Sequence, residues 1–123
     1  MIMQIPKRLL IHSAELITKF DPDKWENSSS EEIIPLKFVR IEPCSKMTAD
    51  SIGNVIRLSA TLFFDCKNSS PKETIFALKS DIVNGKTVDS QKVRFGGRIF
   101  TVQTIEAFYA DENKIHHYEV GLM

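Results

Sequence analysis

Cysteine is scarce: Cys44 and Cys66 are the 2 in 123 residues. Their spacing contains no CxxC and none of the paired patterns that hold zinc, so a thiolate-ligated finger and a dithiol redox site are both excluded. The N-terminal MIMQIPKRLLIHSAEL is broken by His12, Ser13 and Glu15 before any small-residue cleavage site, so no export is expected and both thiols should stay reduced. An excess of either charge is also missing, since Lys+Arg and Asp+Glu each number 16. Nucleic-acid binders neutralise phosphates with a basic footprint, and nothing of that kind is present overall. The local strip Lys92, Arg94 and Arg98 reads as a solvated strand face. No apolar run approaches the roughly 20 residues needed to span a bilayer, so no membrane partner is expected. Gly96-Gly97 is not followed by GxxxxGK[ST] or GxGxxG opening a helix, which removes the usual phosphate cradles.

What remains is a chain of one domain's length, 1–123, with the 42% hydrophobic and 26% charged residues of an ordinary globular protein. VIRLSATLFFDC alternates Ile56, Leu58, Ala60, Leu62 and Phe64 against Arg57, Ser59, Thr61 and Asp65, the period of a core strand. IIPLKFVRIEP alternates in the same way between Pro35 and Pro43. IPKRLLIHSAELI fits neither period cleanly, although Pro6 and the β-branched Ile11 and Ile17 favour a strand. Asn84-Gly85 and Gly96-Gly97 each stand between apolar runs and supply the positive φ angles of tight hairpins. IHHYEVGL resumes an extended pattern after the polar turn Asp111 to Lys114.

Three segments read as connections. FDPDKWENSSSEE is expected as an exposed loop over 20–32, and Cys44 to Asn54 as a connecting loop. Ser70-Pro71-Lys72-Glu73 has capping-box residues with proline at the first helical position, a pattern that allows a short helix through Lys79. The fold expected is all-β: a small antiparallel β-barrel of about six strands, with at most one short helix.

The adjacent His116 and His117 are the most conspicuous reactive groups. In a strand, His116 shares a face with Tyr118, Val120 and Leu122, and His117 with Ile115, Glu119 and Gly121. One strand therefore does not aim both rings at one metal. The candidate metal set is His117 and Glu119 joined by His12 or Asp65 from another strand, using imidazole and carboxylate donors. The competing reading packs His116 towards the core and leaves His117 at the surface or a subunit contact. Neither cysteine sits beside a nucleophile motif, and the acidic pairs fall in polar loops. No enzyme and no cofactor are expected.

IPKRLLIHSAEL, VRIEPCSK, LSATLFFDCKNSSPK, GGRIFTVQTIEAFY and KIHHYEVGL, in this order, resemble the small minor capsid proteins encoded in the head-to-tail region of tailed phages and prophages of Gram-positive bacteria. The resemblance runs from Ile5 to Leu122. It is weakest over Phe20 to Glu32 and over Glu73 to Lys92, where the chain is longer than the family pattern and 72–92 reads as an insertion. It implies a virion protein of the neck, similar to head-completion or stopper proteins, made in the host cytoplasm and assembled as a ring below the portal. The implied partners are the portal or adaptor protein, a tail-completion protein, further copies of the chain, and packaged DNA passing without sequence-specific contact. In such a ring each subunit uses two different patches. The loops expected to supply them, or to face the channel, are Cys44, Ser45, Lys46, Met47, Asp50 and Asn54, and Asp65, Lys67, Asn68, Ser69, Ser70 and Pro71. The alternatives are an OB-like single-strand-binding module stacking bases on Phe63, Phe95, Phe100, Phe108 and Tyr109, and a metal-dependent enzyme built on His12, His117 and Glu119.

Overall fold

Seven strands carry the alternating segments: β1 (His12–Phe20), β2 (Ser30–Ala49), β3 (Val55–Asp65), β4 (Ile82–Val83), β5 (Lys86–Phe95), β6 (Arg98–Tyr109) and β7 (Ile115–Leu122). The computed structural model describes residues 6–22, 30–49, 52–73, 76–110 and 114–123. Every strand pairing is antiparallel. The order is β1-β2-β3-β7-β6-β5-β4, and a further pairing of β1 with β5 closes six strands into a ring. This is the barrel-like, all-β fold expected, with β4 a two-residue addition outside the ring.

Closure depends on two strands that change partners along their length. Residues 30–39 of β2 pair with β1, whereas 40–49 pair with β3. In β6, 98–101 pair with β5 and 102–109 with β7. Each handover coincides with a register shift. His12 faces Val39 while Ser13 faces Lys37, which leaves Phe38 outside the ladder at φ +57°. Val102 faces Leu122 while Thr104 faces Gly121, which leaves out Gln103. An extra residue on one strand bends it and increases its twist, which lets one strand serve two sheets at a corner. Because each half of β2 has a single ladder neighbour, Pro35 and Pro43 are accommodated despite lacking an N–H.

Between the two sheets lies the core. Leu16, Leu36 and Val93 come from one, and Leu62, Phe64, Val120 and Leu122 from the other, all essentially without solvent contact. A smaller cluster of Phe20, Ala77 and Val88 closes one end. Phe76 joins the main core, its ring 5.5 Å from those of both Phe64 and Tyr118.

Both hairpin expectations hold. Asn84 and Gly85, and then Gly96 and Gly97, all have positive φ, the requirement of the mirror-image two-residue turn. Other expectations are corrected. No α-helix forms among the described residues at 70–79, and one turn of 3-10 helix at Lys7–Leu9 is the only helical element described. Capping residues are a local signal, and here Phe76 and Ala77 are drawn into the core instead, with the Ala77 N–H donating to Gln91 Oε1 at 2.7 Å. The loop expected over 20–32 is shorter, since Phe20 ends β1 as a buried residue and Ser30 begins β2; residues 23–29 lie outside the described residues. The connection expected from Cys44 to Asn54 is strand as far as Ala49.

Gly121 sits where β7 passes the corner of β6. A methyl group there would collide with Thr104 Oγ1 and lie 2.8 Å from Leu58 Cδ1. Gly121→Ala should lower stability by about 1–3 kcal/mol, the usual cost of overpacking, read as a lower urea midpoint with an unchanged slope.

Candidate functional site

β7 places His116 on the core face with Val120 and Leu122, and it is 7% exposed. His117 lies on the other side of the backbone, its ring stacked on Phe108 at 4.7 Å and 2°. Strand alternation predicts that the two rings part, yet their Nδ1 atoms are 2.8 Å apart. The register shift at Phe108/Tyr109, directly across from His117, turns the strand locally. An Nδ1 to Nδ1 contact needs one nitrogen to donate and the other to accept. His117 Nε2 lies 3.1 Å from Glu119 Oε2, which extends the contact into a chain of three side chains. Among the described residues, His116 Nε2 is buried with no hydrogen-bond partner.

The other proposed ligands do not join this chain. His12 Nδ1 accepts the Ile41 N–H at 3.0 Å and its ring meets Phe95 edge-on at 4.8 Å. Asp65 faces His117 in register, but its Oδ1 accepts the N–H groups of Lys67 and Asn68, each at 2.9 Å. Among the described residues no three His, Cys, Asp or Glu side chains gather as a metal ion requires.

The turn after β3 is tied inward. Asp65 and Ser69 are fully buried. Ser69 Oγ accepts the Asp65 N–H at 2.9 Å and donates to the Phe38 carbonyl. Ser70 and Lys37 exchange backbone hydrogen bonds, both 3.0 Å. The turn therefore clasps the bulge at which β2 changes sheets. Lys67 is exposed on its rim, Asn68, Ser70 and Pro71 are half-buried, and the Ser70-Pro71 bond is cis.

The second candidate segment forms a projecting ribbon. β7 pairs with β3 only over Ala60 to Asp65, so Val55 to Ser59 have β2 as their one ladder partner among the described residues. Met47 faces Arg57 and Ala49 faces Val55, which puts these four on one face. Met47, Val55 and Ile52 at the tip are 54%, 71% and 80% exposed. Arg57 donates to Ser45 Oγ at 2.6 Å, and Lys46 and Asn54 are exposed; Asp50 lies outside the described residues. Cys44 Sγ rests 3.6 Å from Thr61 Oγ1.

Of the five aromatic residues considered for base stacking, only Tyr109 is exposed. Phe100 is buried under Arg98, Phe95 and Phe63 are half-buried, and Phe108 is covered by His117. A cleft of about 400 Å³ lies between the 77–80 segment, β5 and β6, and Gln91 in its lining, 3% exposed, accepts the Ala77 N–H and donates to Thr18 Oγ1.

Burial pushes the Cys66 thiol up from its ordinary value, reinforced by the Asp65 carboxylate and opposed by Lys72. Burial likewise raises the Tyr118 phenol, with Cys66 and Tyr109 adding to it. A thiol held protonated is a poor nucleophile, which suits a structural role for Cys66. Missed in the sequence was a pairing of like charges: Glu106 of β6 stands directly opposite Glu119 of β7. No periodicity discloses that pair, because it depends on which strands meet and in what register.

The model of one protein family, described as minor capsid protein, matches residues 6–122. No curated protein matches the chain.

Two outcomes are expected. Ser69→Ala removes the buried hydroxyl that joins the Asp65 N–H to the Phe38 carbonyl and should cost about 1–3 kcal/mol in chemical unfolding. Raised folded values for Cys66 and Tyr118 mean that the stability they contribute is intact below the ordinary thiol value of 9.0 and is lost as pH rises through the folded values. The melting temperature should therefore fall on the alkaline side, and Tyr118→Phe combined with Cys66→Ser should flatten that decline.

Proposed function

The chain belongs to the minor capsid protein family, a family of structural virion components, and from that premise we propose that it is a neck protein of a tailed phage or prophage of a Gram-positive host. In this reading it assembles in the host cytoplasm as a ring below the portal, closes the filled head and offers the tail a surface on which to dock. The single observation that carries it is the match over nearly the full length of a chain whose body is one closed ring of strands. Physical features support it. A connector must transmit load between head and tail without deforming, and an antiparallel ring leaves few unpaired edges through which it could open.

The portal or adaptor protein and a tail-completion protein are the neighbours proposed, with packaged DNA passing through the channel. The projecting ribbon is the element proposed to reach one of them, since Met47, Ile52 and Val55 present apolar surface at its end. Surfaces of that kind on an otherwise polar rim mark contact sites. From the turn after β3, the exposed Lys67 is proposed to reach outward, while Asp65 and Ser69 hold the corner from inside. The protein contributes no catalysis in this reading.

The test is electron microscopy of particles made without this gene product. Filled heads that remain unjoined to tails, and that lose DNA, are expected. Filled heads already carrying tails in its absence would refute the neck assignment.

A further inference from the structure

The two outer sheet surfaces of the subunit differ in charge. On the sheet built from β1, β5 and the first parts of β2 and β6, the register places Lys19, Lys37, Lys92 and Arg94 on the outward face, against Glu15 and Glu31. Arg94 is engaged by Glu15 at 3.0 Å. Lys19, Lys37 and Lys92 are exposed and have no ion pair within the subunit among the described residues. Two isoleucines on this face, Ile33 and Ile99, are 47% and 58% exposed.

The opposite surface, on β3, β7 and the second parts of β2 and β6, carries the other sign. One outward row runs Arg40, Phe63, Glu119 and Glu106 across four strands, Glu42 lies in the next row opposite Thr61, and Arg57, further along the same face of β3, donates to Ser45 Oγ on the ribbon, which leaves three carboxylates against two guanidiniums. Arg40 is taken by Glu42. Glu106 and Glu119 therefore face each other with no Lys or Arg partner within the subunit among the described residues, and His117 is the one group at hydrogen-bonding distance. Like charges placed directly opposite across two strands are destabilising, so a cation from outside would relieve a cost the isolated subunit bears.

We infer that these two surfaces are the complementary halves of a head-to-tail contact between copies of this chain, the face with Lys19 and Lys92 of one subunit meeting the face with Glu106 and Glu119 of the next. The core lies between the two sheets, so their outer surfaces point away from each other. Each copy can thus donate one and accept with the other, the heterologous arrangement that a ring requires. Complementary potentials set register and partner choice, and the exposed isoleucines and half-buried Phe63 supply apolar contact inside the charged surround. This deepens the proposed ring and rests on that reading for its closure, but the contact itself is tested apart from it.

The experiment is sedimentation velocity over a range of concentration and salt, using the full chain and two variants. One carries Lys19→Glu and Lys92→Glu, the other Glu106→Lys; among the described residues none of these side chains holds an internal ion pair. The parent is expected to associate at low salt and to dissociate as salt rises. Each variant alone should associate roughly tenfold more weakly, equivalent to about 1.4 kcal/mol. Mixing the two should restore association, because the acidified 19/92 face of the first variant fits the 106 face made basic in the second, while the unaltered 106/119 face of the first fits the unaltered 19/92 face of the second. A parent that stays monomeric under all conditions, or variants that associate like the parent, would overturn the assignment. So would a mixture no stronger than its components, with unfolding curves checking that each variant is folded. If the parent does not associate but binds a labelled DNA duplex that the Lys19→Glu, Lys92→Glu variant no longer shifts, the basic face is a DNA surface and the contact is refuted. The neck assignment is decided separately by the particles.

Discussion

Two strands belong to both sheets at once, and the rest of the molecule depends on that. β2 and β6 pair with one set of neighbours in their first parts and another set in their second, turning where Phe38 and Gln103 drop out of the ladder. Without these bends the sheets would not face each other across Leu16, Leu36, Leu62 and Val120, and β1 would not reach β5 to close the ring. A bulge bearing a non-glycine residue at positive φ is held only by its surroundings. The buried turn of Asp65 and Ser69 supplies that restraint through the Phe38 carbonyl and the Lys37 backbone.

The same economy explains the division of labour in the chain. The turn after β3 holds a corner, and Asp65 and Ser69 in it are buried and bonded inward. The ribbon formed by the ends of β2 and β3 runs past the last residue of β3 that pairs with β7, and Met47, Ile52 and Val55 on it are exposed. Among the described residues, one outer sheet surface carries Lys19, Lys37 and Lys92 outside any ion pair, and the other sets Glu106 opposite Glu119. A closed body with a projecting ribbon and two dissimilar faces suits the structural virion role of the minor capsid family. His12 accepts from Ile41, Asp65 holds its own turn, and His116, His117 and Glu119 form a chain of contacts.

Several parts of this were legible in the sequence because they are local. The alternation of β3 needs no partner to be read, and the turns at Asn84-Gly85 and Gly96-Gly97 announce themselves by residue type. Where local signals misled, a distant partner had overridden them. Ser45 to Ala49 is polar enough to resemble a loop, but β3 supplies a ladder that keeps it extended. The capping residues around Pro71 suggested a helix, yet Ala77 belongs beside Phe20 and Val88, and Phe76 beside Phe64.

By itself the sequence determined the strand class, the two tight hairpins and the face on which His116 lies, since each follows from a period of two or from glycine's freedom at positive φ. Only the tertiary structure decided which strand each half of β2 and β6 joins. That choice brought Glu106 opposite Glu119, set the two imidazoles in contact despite their alternation, and turned the Asp65 loop inward. The physical reason is that strand register is a relation between segments far apart in the chain. One residue's shift at a bulge changes every pairing beyond it, and no single segment records that shift.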